Sequence, residues 1–213
     1  MNLGVRLRLM VLTDDGAAAG RSVLEVAAAA LGAGATAVQL REKTLGGREL
    51  CRLGDALVGL CRAHHALCLI NDRLDIALAC GADGVHLGPD DVSPDRARAI
   101  AGPDFVIGVS AGLPEEARRA AAAGADYVGT GAVFATGSKA DAGDPIGPSG
   151  LARVVSACPL PVVAIGGIST ANAGQAIAAG AVGVAVISAV MAAPDPAAAT
   201  RALLAAIAGG PMP

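Results

Sequence analysis

The sequence predicts an α/β protein folded as a single closed (β/α)8 barrel, and three observations predict it. A Gly-Ala dipeptide followed by a short apolar run recurs at Gly34, Gly81, Gly124 and Gly180. Successive copies lie 47, 43 and 56 residues apart, which suits two strand–helix units per copy. Four further short apolar runs fall between the copies and bring the strands to eight. Eight strands alternating with eight helices, with no linker between them, describe one TIM barrel domain over residues 1–213, the barrel itself spanning about 7–208.

Each element has a local reason. Strand 7–13 is an unbroken apolar run, as parallel strands buried on both faces require, and an Ala-rich helix follows over 21–31. Gly34-Ala35 precedes strand 37–42, and an amphipathic stretch over 47–64 follows it. Strand 67–71 leads into helix 74–80, which Gly81 stops before strand 84–88. Ser93 before Pro94 starts a helix over 93–101, and Pro114 before two glutamates starts another over 114–123. These flank strand 106–110, and Gly124 ends the second helix before strand 127–131. A long connection then reaches helix 149–156 and strand 162–166. Ser169-Thr170 signals a helix over 170–179, Gly180 stops it, and strand 183–188 and helix 196–208 complete the set.

Composition removes several function classes. Sixteen basic residues against nineteen acidic ones leave no polyanion-binding surface, so nucleic acid is not expected as a partner. Phe105, Tyr127 and Phe134 are the only aromatic residues, too few for a base-stacking platform. Five cysteines, an odd number with no C-x-x-C pair, read as free thiols in a reducing, cytoplasmic setting. Residues 154–194 carry no charge, but Gly180 and Gly183 interrupt the run and no basic cluster flanks it. A membrane span is therefore not expected, and the N-terminus does not read as a signal peptide. The apolar outer helices leave room for self-association into a homo-oligomer.

In a barrel the chemistry collects where the strands end. Strand ends here carry Gln39-Leu40-Arg41-Glu42-Lys43, Asn71-Asp72, Asp90-Asp91 and Ser110. Thr136-Gly137-Ser138-Lys139 sits in the long connection, and Gly166-Gly167 and Ile187-Ser188 end the last two strands. Glycines let a phosphate approach backbone N–H groups, and barrels place phosphate at these last two loops. Asp72 and Asp91 end adjacent strands and could share Mg²⁺, with Asp90 competing for the second position. Arg41 offers a fork for phosphate, while Lys43 and Lys139, the only two lysines, act as point charges. The connection bearing Lys139 reads as a lid over the rim. His64 and His65 suit a helix end, and the pattern leaves His86 open between core and rim.

The runs Val38–Lys43, Ile70-Asn71-Asp72, Gly84–Gly88, Gly108–Ala111, Asp126–Gly129 and Ala164–Ile168 together resemble the thiamine-phosphate synthase family over essentially the whole chain. That resemblance implies a transferase joining hydroxymethylpyrimidine diphosphate to a thiazole phosphate with Mg²⁺. It implies that Gln39, Leu40, Arg41, Glu42, Lys43, Asn71, Ser110 and Lys139 bind the pyrimidine diphosphate. Among them Lys43, Lys139, Arg41 and Ser110 would assist catalysis. Thr136, Gly137, Ser138, Gly167, Ile187 and Ser188 would hold the thiazole phosphate, and Asp72 and Asp91 the metal. Ser138 stands where the family pattern usually has Thr, and Gly112 where relatives often have His. The latter counts against a related thiazole tautomerase. A Schiff-base aldolase lacks a lysine on a strand, and a non-catalytic binding barrel would not need the metal carboxylates.

Overall fold

Strands of four or five residues with no polar alternation are stable only if both faces are covered. The protein, described here by a computed structural model over residues 2–137 and 143–209, covers them by closing the sheet. The strands are β1 (Leu9–Leu12), β2 (Ala37–Leu40), β3 (Leu67–Asn71), β4 (Gly84–Leu87), β5 (Val106–Ser110), β6 (Tyr127–Thr130), β7 (Val162–Ile165) and β8 (Gly183–Val186). All pair in parallel with their sequence neighbours, and β8 returns to β1 through Leu9↔Val184 and Val11↔Val186. The helices are α1 (Leu3–Arg6), α2 (Val23–Gly32), α3 (Gly47–Ala63), α4 (Leu74–Ala79), α5 (Pro94–Ala101), α6 (Pro114–Ala122), α7 (Gly147–Ala157), α8 (Ala173–Ala178), α9 (Ser188–Met191) and α10 (Pro196–Ala208). Among the described residues no helix is long and apolar enough to cross a membrane. The uncharged stretch is divided among the end of α7, β7, α8, β8 and α9. All five cysteines are free thiols, three of them buried.

Two short helices depart from the sequence expectation. Turn α1 sits ahead of β1, with the Asn2 side chain accepting the Gly4 N–H at 2.9 Å. Helix α9 cuts the last strand off at Val186, so Ser188 opens a helix instead of ending a strand. The helix expected from Ser169-Thr170 begins later, at Ala173. Asn172 explains the delay: its Oδ1 accepts the Ser169 N–H at 2.7 Å and its Nδ2 donates to Gly167 O at 2.8 Å.

Each Gly-Ala pair ends a helix in the same way. Gly34, Gly81, Gly124 and Gly180 have φ of 104°, 63°, 88° and 97°, a region that costs a residue with a Cβ. The following alanine donates its N–H five residues back in every case, from Ala35 to Ala30, Ala82 to Ala77, Ala125 to Ala120 and Ala181 to Ala176. Helix α3 ends identically, Ala66 donating to Cys61, but with His65 at φ 55° in the glycine position.

The residue before each even strand joins it to the preceding odd one. Thr36, Asp83, Asp126 and Val182 donate their N–H groups to Leu9 O, Cys68 O, Ile107 O and Val162 O. In three copies the side chain also accepts an N–H from the odd strand: Thr36 Oγ1 from Leu9, Asp83 Oδ2 from Cys68 and Asp126 Oδ2 from Ile107, at 2.7–3.0 Å. Arg98 reinforces the third, donating to Asp126 Oδ2 at 2.6 Å and to the carbonyls of Gly102, Phe105 and Gly124. Asp126→Ala should therefore destabilise the fold by about 1–3 kcal/mol, because Ile107 N–H and Arg98 both lose an acceptor. Urea unfolding of the two proteins measures the difference, and an unchanged midpoint would remove this staple from the account.

Candidate active site

The C-terminal ends of the strands surround a cavity of about 690 Å³. Asp91, Ser110 and Gly112 line one side, and Gly167, Ile187 and Ser188 the other. A second cavity of about 700 Å³ shares Thr136, Gly167, Ile187 and Ser188 and adds Asp14, Gly16 and Gly137. Residues drawn from six strand ends thus meet at one rim, as the barrel topology requires. Ser138 and Lys139 lie outside the described residues.

Asp72 follows β3 with φ 64°, in a left-handed conformation that Asp tolerates better than most residues. Its N–H is fixed to His86 O at 2.8 Å. The Lys43 ammonium donates to Asp72 Oδ2 at 2.5 Å. Asp91 follows β4, and its Oδ2 accepts the Gly88 N–H at 2.7 Å, which turns the carboxylate inward. Burial and then the nearby Asp72 carboxylate push the Asp91 carboxyl above its ordinary value, outweighing the Gly88 hydrogen bond and the Lys43 charge. Asp90 is exposed beside it, whereas Asp91 is partly buried and interacts with Asp72. Two hard carboxylates in repulsion are a fitting donor set for Mg²⁺, which takes one or two carboxylates and completes its shell with water and phosphate oxygens. Among the described residues no group of three such ligands occurs.

Arg41 also arrives with a partner that the sequence reading passed over. Its Nη1 donates to Asp14 Oδ2 at 3.2 Å, and Thr13 Oγ1 accepts the Arg41 N–H at 2.9 Å. Thr13-Asp14 ends β1, a position that itself marks a rim residue. Glu42 accepts from Thr44 through both N–H and hydroxyl, and Leu40 is 1 % exposed in the aliphatic core. Their side chains are thus committed to the scaffold. Gln39 is buried, its Nε2 lies 3.4 Å from Met10 Sδ, and its Oε1 has no partner among the described residues.

The Gly166-Gly167 turn is dictated twice. Both residues have positive φ, 94° and 64°. A Cβ on Gly166 would fall 2.6 Å from Ala132 Cα, and one on Gly167 2.4 Å from Ala135 O. The chain leaving β6 is laid across this turn, with Val133 and Phe134 donating to Ile165 O and Gly166 O at 2.9 and 3.0 Å. The bonds from Asn172 brace its other side.

His86, left open by the sequence, lies inside the barrel. It pairs in register with Gly108 on β5, and Gly108 pairs with Tyr127 on β6. A Cβ on Gly108 would sit 2.1 Å from the Tyr127 ring, so this glycine lets β4 and β6 side chains meet across β5. Tyr127 OH lies 2.9 Å from His86 Nδ1, and Ser110 Oγ 3.0 Å from His86 Nε2. Complete burial pushes the Tyr127 hydroxyl upward, so it remains protonated.

Comparison with known proteins decides the family. The profile described as thiamine monophosphate synthase matches residues 9–190. The chain belongs to the thiamine-phosphate synthase family. Thiamine-phosphate synthases from Moorella thermoacetica and Roseiflexus castenholzii are 55% and 52% identical to it. The alignments cover 86% and 91% of this chain and 88% and 85% of those proteins. A solved thiamine phosphate pyrophosphorylase from Pyrococcus furiosus superposes with a TM-score of 0.90 at 43% identity, covering 97% of this chain and 98% of that one.

Two outcomes test the geometry of this family member's rim. Because ionised Asp91 is disfavoured in the fold, metal-free stability should fall as pH rises from the ordinary Asp value of 3.8 through the raised one. Asp91→Asn should then melt above wild type at pH 7 without metal, and the gap should close at low pH. Melting curves at several pH values check the sign. Gly167→Ala should lower affinity for inorganic phosphate at least about tenfold by displacing the turn, at a strain cost of about 1 kcal/mol. Calorimetric titration with phosphate reads it.

Proposed function

We propose that the chain catalyses thiamine-phosphate synthesis, coupling 4-amino-2-methyl-5-hydroxymethylpyrimidine diphosphate with 4-methyl-5-hydroxyethylthiazole phosphate and releasing diphosphate, or with its carboxylated form and releasing CO2 as well. The observation that carries this reading is the pairing of Asp72, Asp91 and Lys43 at one end of a rim whose other end is the Gly166-Gly167 turn. Such a rim suits a diphosphate and a monophosphate at opposite sides of one cavity. The small-molecule substrates would meet between them.

The chemistry is a dissociative substitution. The C–O bond to diphosphate breaks, the electron-rich pyrimidine bears the positive charge, and the thiazole nitrogen lone pair forms the new C–N bond. No proton need be taken by the protein, in keeping with a rim that offers cations and carboxylates instead of a base–nucleophile pair. Asp72 and Asp91 would hold Mg²⁺, which when bound supplies charge neutralisation for the departing diphosphate. Lys43 would pass from Asp72 to a diphosphate oxygen, and Arg41 would offer its remaining donors. Gln39 Oε1 is a ready acceptor for the pyrimidine amino group. Asn71 and Ser110 complete that half, Ser110 with its hydroxyl set by His86, and Leu40 and Glu42 would contribute only backbone groups. Thr136, Gly137, Gly167, Ile187 and Ser188 would hold the thiazole phosphate, joined by Ser138. Lys139 would meet the leaving group. Five free thiols accord with a cytoplasmic setting.

Purified protein mixed with both substrates should form thiamine phosphate only when Mg²⁺ is present. Asp72→Ala should reduce kcat/KM by about a hundredfold or more, the usual cost of removing a metal-supporting group. Product from the wild type without any divalent ion, or full activity in Asp72→Ala, would overturn the assignment.

A further inference from the structure

Six glycines line the 690 Å³ cavity, and five have a reason to be glycine. A Cβ on Gly129, Gly131, Gly166 or Gly167 would fall within 3.0 Å of His86 or of neighbouring backbone, and one on Gly88 would lie 3.3 Å from Asp91 Oδ2. Gly112 is the exception. A Cβ there would meet nothing nearer than 3.9 Å, from Glu116 Oε2 and Gly131 O, and its φ is not in the left-handed region. Neither backbone conformation nor packing demands glycine at this place. What its missing side chain does is leave space.

That space has a shape and a polarity. Beside Gly112 the cavity is lined by Val92, by Pro94 at the start of α5, by Val109, and by Arg119, Ala120 and Ala123 on and just after α6. Glu116 borders it, but its Oε2 is spent on the Gly112 and Leu113 N–H groups at 2.8 and 3.1 Å. Arg119 also lines this part of the cavity, but the rest of its wall is mostly aliphatic, which suits an alkyl group. The arm opens beside Asp91 and Ser110, at the opposite side of the cavity from Gly167 and Ser188.

We propose that Gly112 sets substrate specificity by keeping open an apolar arm that accepts alkyl groups larger than methyl on the pyrimidine ring. The assignment to the pyrimidine rests on the functional reading above, which places the pyrimidine diphosphate on the Asp91 and Ser110 side. The thiazole, held at the Gly167 side, lies away from the arm.

The test uses the holoenzyme with Mg²⁺ and a series of pyrimidine diphosphates bearing methyl, ethyl or propyl at the ring position of the natural methyl. A parallel series carries the same groups on the thiazole phosphate. Wild type should turn over the propyl pyrimidine with kcat/KM within about tenfold of the natural substrate. Gly112→Leu should fill the arm and lower the ratio of kcat/KM for the propyl pyrimidine to that for the methyl pyrimidine by about tenfold or more. Gly112→Ala, whose Cβ has room, should keep wild-type melting and show an intermediate loss, so a folding defect in Gly112→Leu would not hide the effect. Equal treatment of methyl and propyl pyrimidines by wild type and both variants would overturn the proposal, as would discrimination confined to the thiazole series. Wild type inactive on the natural pair would instead overturn the functional reading itself.

Discussion

Two carboxylates held close together in partial burial set the terms for the rest of the rim. Asp72 and Asp91 repel, and desolvation weakens the water that would otherwise separate them. The fold must therefore force them together. It does so with a left-handed backbone at Asp72, with the Gly88 N–H on Asp91, and with Lys43 reaching across from the β2 loop. The left-handed backbone at Asp72 carries a conformational cost, whereas the Gly88 N–H and the Lys43 ammonium offset part of the repulsion. Local strain of this kind is stabilised from elsewhere, here by a barrel whose eight strands are closed and aliphatic.

The barrel was legible because its signals are local and repeated. Gly-Ala helix stops and short apolar strands carry the topology, and all eight strands fall where the sequence puts them. Strand and helix ends were less legible, since they depend on side chains that compete for backbone groups. Asn172 delaying α8 is such a case, and so is His65 standing in a glycine position at the end of α3. Within the rim, Asp91 differs from Asp90 in its hydrogen bond to Gly88, its partial burial and its interaction with Asp72, none of which a residue pattern encodes. Asp14 went unnoticed because its partner, Arg41, is 27 positions away. The place of His86 depended on Gly108 opposite it, a relation of register between strands and not of spacing along the chain.

The staples beneath the strands show the fourfold repeat at another level. Thr36, Asp83 and Asp126 each tie an even strand to the odd one before it through a side-chain oxygen. Val182 holds the fourth place with its backbone alone. The last quarter relies instead on buried Val, Ile and Ala from β7, β8, α8 and α10, where the sequence is almost uncharged. One repeat thus exchanges polar fastening for hydrophobic packing, and the closure from β8 to β1 falls within it.

Tyr127 is the chain's single tyrosine, and there is no tryptophan. It is 1 % exposed, inside the barrel, and bonded to a histidine whose other nitrogen meets a cavity-lining serine. Nearly all near-ultraviolet absorption and intrinsic emission of the protein therefore originate at one point in the barrel interior. The molecule carries its own optical reporter, wired by hydrogen bonds to the wall of the cavity at the strand ends, with no tryptophan elsewhere to obscure it.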